Sequence, residues 1–282
     1  MPQRTIDLLN NAAKANRADK FRKANVINLP AEGNLLITGD LHGHRRNFER
    51  IASLAGLSED PRRHVMLQEI MHGGPEDAQG GCLSYKLLFD VARYKLEYPD
   101  QVHIVMGNHD SAFISNSEVM KDGKEMNRAM RCAVEREFND KASDIIIAVR
   151  EYLFSLVLAV RCENRIWMSH SLPADRNADK FDPDVFNRPL TEADFVRPGS
   201  AYLLTWGRRH SQQLLDTMAA LLDVDLFVLG HQPQEEGYCQ AGRNLLIMAS
   251  DHDHGCALPI DLSQSYTIQQ LIDLVVPLAS IA

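Results

Sequence analysis

Apolar runs recur along the chain, and four of them end on polar residues of one kind. Leu35-Leu36-Ile37-Thr38 leads into Gly39-Asp40-Leu41-His42-Gly43-His44, and Val102–Met106 leads into Gly107-Asn108-His109-Asp110. Ile166-Trp167-Met168 leads into Ser169-His170, and Leu226–Leu229 leads into Gly230-His231-Gln232-Pro233. A short apolar run closed by turn residues reads as a buried strand opening into a loop. Val65-Met66-Leu67 is a further strand of this type.

Between the strands the period changes to that of a helix. Ile6, Leu9, Ala12 and Ala13 predict an amphipathic N-terminal helix, followed by a solvated basic turn at 20–23. Phe48, Ile51, Ala52 and Ala55 mark a helix stopped by Gly56. Leu87, Leu88, Val91, Ala92 and Leu96 place another over 84–98, stopped by Pro99. Residues 111–152 read as helical, with Met126, Met130, Ala133, Val134 and Phe138 as the packing stripe. Residues 153–160 and 166–168 form a hairpin about Glu163-Asn164-Arg165, and 175–198, with Pro183, Pro189 and Pro198, reads as a long surface loop. Leu214, Leu215, Met218, Leu221 and Leu222 are the inward face of a late helix. After Ala257 come an edge strand and then a second strand or a short helix, which periodicity does not separate.

Composition narrows the class. The chain has 282 residues, 45% hydrophobic and 24% charged, as in ordinary globular proteins. The strand-end motifs are spread over its length, so one large domain is expected over 31–282, containing the helical segment 111–152 and preceded by a helical extension over 1–30. The net charge of -8 argues against a broad nucleic-acid-binding or membrane-binding surface. Five cysteines, at 82, 132, 162, 239 and 256, include no C-x-x-C pair, which suits reduced thiols in a cytoplasm. Residues 1–30 hold no long apolar core, and the longest apolar stretch, 145–160, is broken by Arg150 and Glu151, so neither signal peptide nor membrane span is expected.

Candidate chemistry sits at the strand ends. Asp40 and His42 are two residues apart and face the same way, and a carboxylate beside an imidazole suits a borderline divalent metal. Taken alone, the pair also reads as a helix cap and a turn histidine. Polar residues at the carboxyl ends of strands in a layered α/β fold converge on one crevice.

In order, the four motifs resemble the calcineurin-like metallophosphoesterases, and their spacing is most similar to the branch containing the serine/threonine protein phosphatases. The resemblance runs from about Asn34 to Gly255. It implies an α/β fold, a four-layer α-β-β-α sandwich with two mixed central sheets flanked by helices. It also implies two metal ions, divalent or trivalent (Mn, Fe, Zn or Ni), roughly 3 to 4 Å apart. Asp40, His42 and a bridging Glu69 would hold one, and Glu69, Asn108, His170 and His231 the other. A hydroxide between the metals would attack phosphorus in line, with His109 as the general acid.

Gln68-Glu69-Ile70-Met71-His72-Gly73-Gly74 departs from the family's Gly-Asp-x-x-Asp-Arg-Gly. Glu69 stands at the bridging aspartate, His72 at the carboxylate that orients the catalytic histidine, and Gly73 at a phosphate-binding arginine; Met106 stands at another. His72 is then either the orienting group or an extra ligand, and Arg208 or Arg209 is the candidate for binding phosphate, because arginine fits phosphate oxygens bidentately. An acidic loop over 73–81 lies beside the site, and Asp251-His252-Asp253-His254-Gly255 falls where the family has an overhanging loop.

The favoured function is a metal-dependent phosphomonoesterase acting on a phosphorylated protein or a small phosphate ester. The alternatives are hydrolysis of dinucleoside polyphosphates or phosphodiesters, and a non-catalytic metal-binding scaffold, motivated by the changes at Glu69, His72 and Gly73.

Overall fold

The computed structural model describes residues 2–121 and 123–281; Met1, Asp122 and Ala282, which fall within ranges read above, lie outside them. In chain order the elements are α1 (Pro2–Ala18), β1 (Arg22–Lys23), β2 (Val26–Leu29), β3 (Asn34–Asp40), α2 (Arg45–Ala55), β4 (Arg63–Gln68), α3 (Tyr85–Glu97), β5 (Val102–Val105) and α4 (Asn108–Ile114). There follow β6 (Met120–Lys121), β7 (Lys124–Glu125), α5 (Met126–Phe138), α6 (Ala142–Phe154), β8 (Ala159–Cys162), β9 (Ile166–Ser169), α7 (Ser200–Trp206) and α8 (Gln212–Leu222). The chain closes with β10 (Leu226–Leu229), β11 (Tyr238–Ala241), β12 (Leu245–Met248), β13 (Cys256–Asp261), α9 (Ile268–Asp273) and β14 (Val276–Pro277).

Two mixed sheets carry the fold. One has the order β1-β2-β8-β9-β10-β12-β11, the other β14-β13-β3-β4-β5. Strand alternation sorts the side chains into layers. Leu35 and Ile37 of β3, Met66 of β4, Ile166 and Met168 of β9, Leu226 and Val228 of β10, and Leu246 and Met248 of β12 fill the space between the sheets. Their neighbours Leu36, Val65, Leu67, Trp167, Phe227, Leu245 and Ile247 face the other way, into the core shared with the helices. These are the expected layers. Leu9, Ala12 and Ala13 of α1 belong to that second core.

β3, β4 and β5 run parallel, as do β9, β10 and β12. Their carboxyl ends meet where Asp40 pairs with Ala249 as an isolated parallel bridge. The strand ends that carry the motifs therefore share one edge of the sandwich.

Several segments differ from expectation. Residues 111–152 are not one helical stretch. α4 ends at Ile114, a hairpin pairs Met120 with Glu125, α5 begins where Glu125 accepts from the backbone N–H of Asn127 and Arg128, and a left-handed Asn139 (φ 48°) separates α5 from α6. β8 starts only at Ala159 because Leu153 and Phe154 complete α6. Residues 175–198 form three 3-10 turns rather than an unstructured loop, with Val185, Phe186 and Phe195 buried. Leu221 faces solvent (49% exposed) while Leu214, Leu215, Met218 and Leu222 are buried, so α8 presents a narrower apolar stripe than its sequence suggests. The basic turn is partly structural: Arg22 lies in β1 and its Nη1 donates to the carbonyl of Asn16. No helix among the described residues is long and apolar enough to cross a membrane.

Candidate active site

Asp40, His42, Glu69, Asn108, His109, His170 and His231 come together at the shared edge, although nearly 200 residues separate the first from the last. Asp40 ends β3, and its Oδ1 accepts from the backbone N–H of His231 at 3.0 Å. Its Oδ2 lies 3.7 Å from Nε2 of His42. Asn108 opens α4 shortly after β5, and its Oδ1 lies 2.9 Å from Nδ1 of His231 and 3.0 Å from Nε2 of His170. Nε2 of His170 also lies 3.2 Å from Oε2 of Glu69.

Glu69 is fully buried, which rules out an exposed loop carboxylate at this position. Its longer side chain fits because residue 107 is glycine: a Cβ there would collide with the Glu69 carboxylate. Gly230 serves Asp40 in the same way. The turns that deliver these groups are strained. Of the ten non-glycine residues with positive φ among the described residues, five are His42, Glu69, His72, Arg209 and His231. Such conformations cost of order 1–3 kcal/mol each and concentrate where a side chain must be aimed.

Tautomers follow from the partners. His42 Nδ1 donates to the Met71 carbonyl at 3.0 Å, and His170 Nδ1 donates to Oε1 of Gln68 at 3.0 Å. Gln68 is itself fixed by its donation to the Thr38 carbonyl. Both histidines therefore turn an Nε2 lone pair into the site, the arrangement in which an imidazole is held by its far nitrogen for metal binding. His231 differs. Arg208 Nε donates to its Nε2 at 3.0 Å, and since arginine has no acceptor, the ring proton sits on Nδ1 and is donated to Asn108.

Burial dominates the electrostatics. It raises Asp40 and drives Glu69 well above the usual carboxylate range, and it lowers His42, His109, His170 and His231. The short histidine–carboxylate contacts are thus not ion pairs at neutral pH. Among the described residues neither Asp40 nor Glu69 has a lysine or arginine within ion-pairing distance, and Oε1 of Glu69 is buried with no partner at all. Buried carboxylates persist when paired or bound to metal.

The donor set fits divalent cations on that ground. Two donors each about 2.1 Å from a cation lie roughly 3.0–3.4 Å apart in octahedral or tetrahedral geometry, close to the spacings around Asn108 and His170. Among the described residues no group of three or more His, Cys, Asp or Glu side chains stands close enough together to hold a metal ion as placed.

His72 is buried away from the ligands. Its Nε2 donates to Oδ1 of Asn127 at 2.7 Å, and its ring lies 5.3 Å from that of His109. Nδ1 of both rings is buried without a partner among the described residues. Burial pushes His72 down to about 4, so it is neutral at pH 7. Gly73, at the position of a family arginine, has its backbone packed on the His42 carbonyl, with no room for a Cβ. Arg209, the other arginine singled out, points into a neighbouring cavity rather than onto the ligands. In the 251–254 loop His252 bonds the Gln234 carbonyl, Asp251 lies 3.9 Å from Nζ of Lys121, and the Asp251 charge acts on Asp40 and His42.

Three contributors carried no clear mark in the sequence. Gln68 orients His170, Asn127 holds His72, and Lys121 on β6 brings an ammonium near the centre. After burial and the carboxylates, that ammonium also acts on Glu69.

Comparison with known proteins agrees with this geometry. The family model of the calcineurin-like phosphoesterases matches residues 33–235. A serine/threonine-protein phosphatase of Caenorhabditis elegans is 23% identical over 233 residues, 78% of this chain and 47% of that protein. The chain thus spans about half the length of that relative. Among solved structures, a protein serine/threonine phosphatase from Saccharomyces cerevisiae with similarity to human phosphatase PP5 superposes with a TM-score of 0.68 at 15% identity, covering 92% of this chain and 82% of that one. The cold-active protein-tyrosine phosphatase of a psychrophilic Shewanella gives 0.57 at 14% identity, covering 84% and 77%. At these identities the structural likeness speaks for the fold. Together with the matched family model, it places the chain in the calcineurin-like phosphoesterase family.

Proposed function

We propose that the chain is a metal-dependent phosphoesterase that hydrolyses phosphomonoesters, of a phosphoprotein or a small phosphate ester. The observation that carries this reading is the burial of Asp40 and Glu69 with no lysine or arginine partner among the described residues, beside imidazoles whose far N–H groups are already held by Met71 and Gln68. Asp40, His42 and Glu69 would hold one divalent cation, and Glu69, Asn108, His170 and His231 a second, with the unpartnered Oε1 of Glu69 free to serve the first. Bound there, the cations would lower the pKa of a coordinated water and draw charge from the phosphoryl oxygens.

The remaining work falls to the chain's own groups. His109 protonates the leaving oxygen, from Nε2, since its Nδ1 is buried. His72 supports it. Asn127 donates to the Ser117 carbonyl, so its Oδ1 faces His72 and fixes the proton of that ring on Nε2. The bare Nδ1 of His72, in a ring whose centroid lies 5.3 Å from that of His109, is a neutral acceptor in place of the family carboxylate. Arg208 takes the phosphate oxygens.

Hydrolysis of p-nitrophenyl phosphate with and without added Mn(II) tests the reading. Turnover that needs the metal and is lost on chelation is expected; no turnover with Mn, Fe, Zn or Ni would overturn it.

A further inference from the structure

Beside the centre, across Arg208, lies a cavity of about 570 Å3 walled by Arg176, Arg197, Arg208 and Arg209, with Tyr202 and Trp206 from α7. Most of the arginines elsewhere are matched with acids, among them Arg150 with Glu192, Arg165 with Asp225, Arg188 with Asp194 and Arg243 with Asp216. None of the four cavity arginines has a carboxylate within ion-pairing distance among the described residues. The one acid in the wall, Asp175, is committed to the backbone N–H and hydroxyl of Ser211. In a chain of net charge -8, four guanidinium groups gathered without carboxylate partners repel one another and call for an anion.

The wall is built, not incidental. Ser171 Oγ donates to the Gly207 carbonyl at 2.6 Å and His210 bonds the Leu172 carbonyl at 3.0 Å, which pins the turn carrying Arg208 and Arg209. Tyr202 and Trp206, one helical turn apart, stack with ring centroids 5.5 Å apart and planes 17° from parallel. The Trp206 ring lies 6.5 Å from that of His231, and Arg208, which lines the cavity, bonds the same histidine, so the cavity adjoins the centre.

We propose that this cavity receives the leaving-group side of the substrate, and that this side carries a planar aromatic ring and at least one phosphate besides the scissile one: the chemistry of a nucleoside bisphosphate. The proposal rests on the phosphomonoesterase reading for its direction, since the scissile ester must lie at the adjoining centre. Arg208 is in place for the scissile phosphate. Arg176, Arg197 and Arg209 line the wall without carboxylate partners among the described residues, and three further guanidinium groups suit a second phosphate. The flat Tyr202–Trp206 pair offers the ring a stacking partner. The volume lies within the roughly 300–1,000 Å3 typical of small-molecule pockets, which favours a nucleotide over an extended peptide.

Calorimetric titration with adenosine 3′,5′-bisphosphate tests this, on the protein as purified and on the Arg176→Ala/Arg197→Ala double variant, alongside Mn(II)-supplemented turnover of p-nitrophenyl phosphate by both. The proposal expects the double variant to bind the bisphosphate about 10- to 100-fold more weakly while its p-nitrophenyl phosphate turnover stays within about twofold of the parent. No saturable binding, or equal binding by both proteins, overturns it. So does tighter binding of a doubly phosphorylated peptide than of the nucleotide. Should p-nitrophenyl phosphate not be turned over by either protein while bisphosphate binding is still lost in the variant, the phosphatase reading fails and the cavity assignment stands.

Discussion

Arg208 donates its Nε–H to Nε2 of His231 over 3.0 Å, and this bond sets the histidine in the tautomer opposite to the one a metal ligand needs. His231 faces Asn108 through Nδ1. Presenting a lone pair there moves the ring proton to Nε2, where two N–H groups would oppose each other. Loading the centre through that nitrogen therefore releases Arg208, and a released arginine at this point is free to meet the phosphate. On the proposed function, cation binding and phosphate binding would be coupled through this one hydrogen bond.

Arg208→Ala follows from this. The variant is expected to bind Mn(II) at least as tightly as the parent by calorimetry, because a competing contact is gone, while phosphatase turnover falls by about 10- to 100-fold. Weaker Mn(II) binding in the variant would show that Arg208 supports the ligand rather than competing with it.

His109→Ala should retain the metal content of the parent, since the histidine touches Glu69 only through its backbone N–H. Turnover should fall by about 10²–10⁴. The loss should be steeper for alkyl phosphates than for p-nitrophenyl phosphate, whose leaving group needs little protonation. Loss of metal by elemental analysis would contradict the assignment of His109 as the acid.

Far from the site, Asp19 ties the amino-terminal segment to the core. Its Oδ2 accepts from Nζ of Lys95 at 2.9 Å and from Nδ1 of His103 at 3.0 Å, all three groups being buried. Asp19→Ala leaves the Lys95 charge in the interior with only backbone carbonyls, at a cost of about 3–5 kcal/mol. Urea denaturation should show this, and Asp19→Ala/Lys95→Met should recover part of it. A double variant no more stable than the single one would contradict the charge argument.

The same cluster makes stability sensitive to acid. His64 donates from Nδ1 to Nε2 of His103 and packs edge-on against Phe21. Burial, and then the neighbouring His103, hold His64 down to about 3. Asp19 and Lys20 are the other charged groups acting on it, and a hydrogen bond to the backbone carbonyl of Asp100 favours its protonated form. The folded ring resists a proton that the unfolded chain accepts near pH 6.5. Its contribution is therefore present above that pH and drains away as the pH falls toward 3, at about 1.4 kcal/mol per unit. Between pH 7 and pH 4.5 the parent should lose about 2 to 3 kcal/mol more than His64→Phe. Equal losses would contradict it.

The parts of the site that close an apolar run were legible in the sequence, because a strand end and a ligand-type side chain mark each other. Asp40, Asn108, His170 and His231 are of this kind, and Glu69 follows from its place after β4. The supporting groups were not. Gln68 and Asn127 are neutral amides with no periodicity or charge to single them out, and the bond from Asn127 to His72 spans 55 residues. The hairpin inside 111–152 was hidden because helical periods on either side ran into each other. The buried Val185 and Phe195 sit in 3-10 turns, whose short pieces leave no repeat to read. The cavity was half visible: Arg208 and Arg209 stood out, while Arg176 and Arg197 lay in a segment read as loop.

The central claim is that side chains from distant parts of the chain meet to clamp two cations, with Glu69 between them. Metal analysis of Mn(II)-loaded, desalted protein, parent and Glu69→Gln, tests it most directly. The account predicts about two equivalents per chain in the parent and at most about one in the variant. No bound metal in the parent, or two equivalents retained by Glu69→Gln, would contradict it.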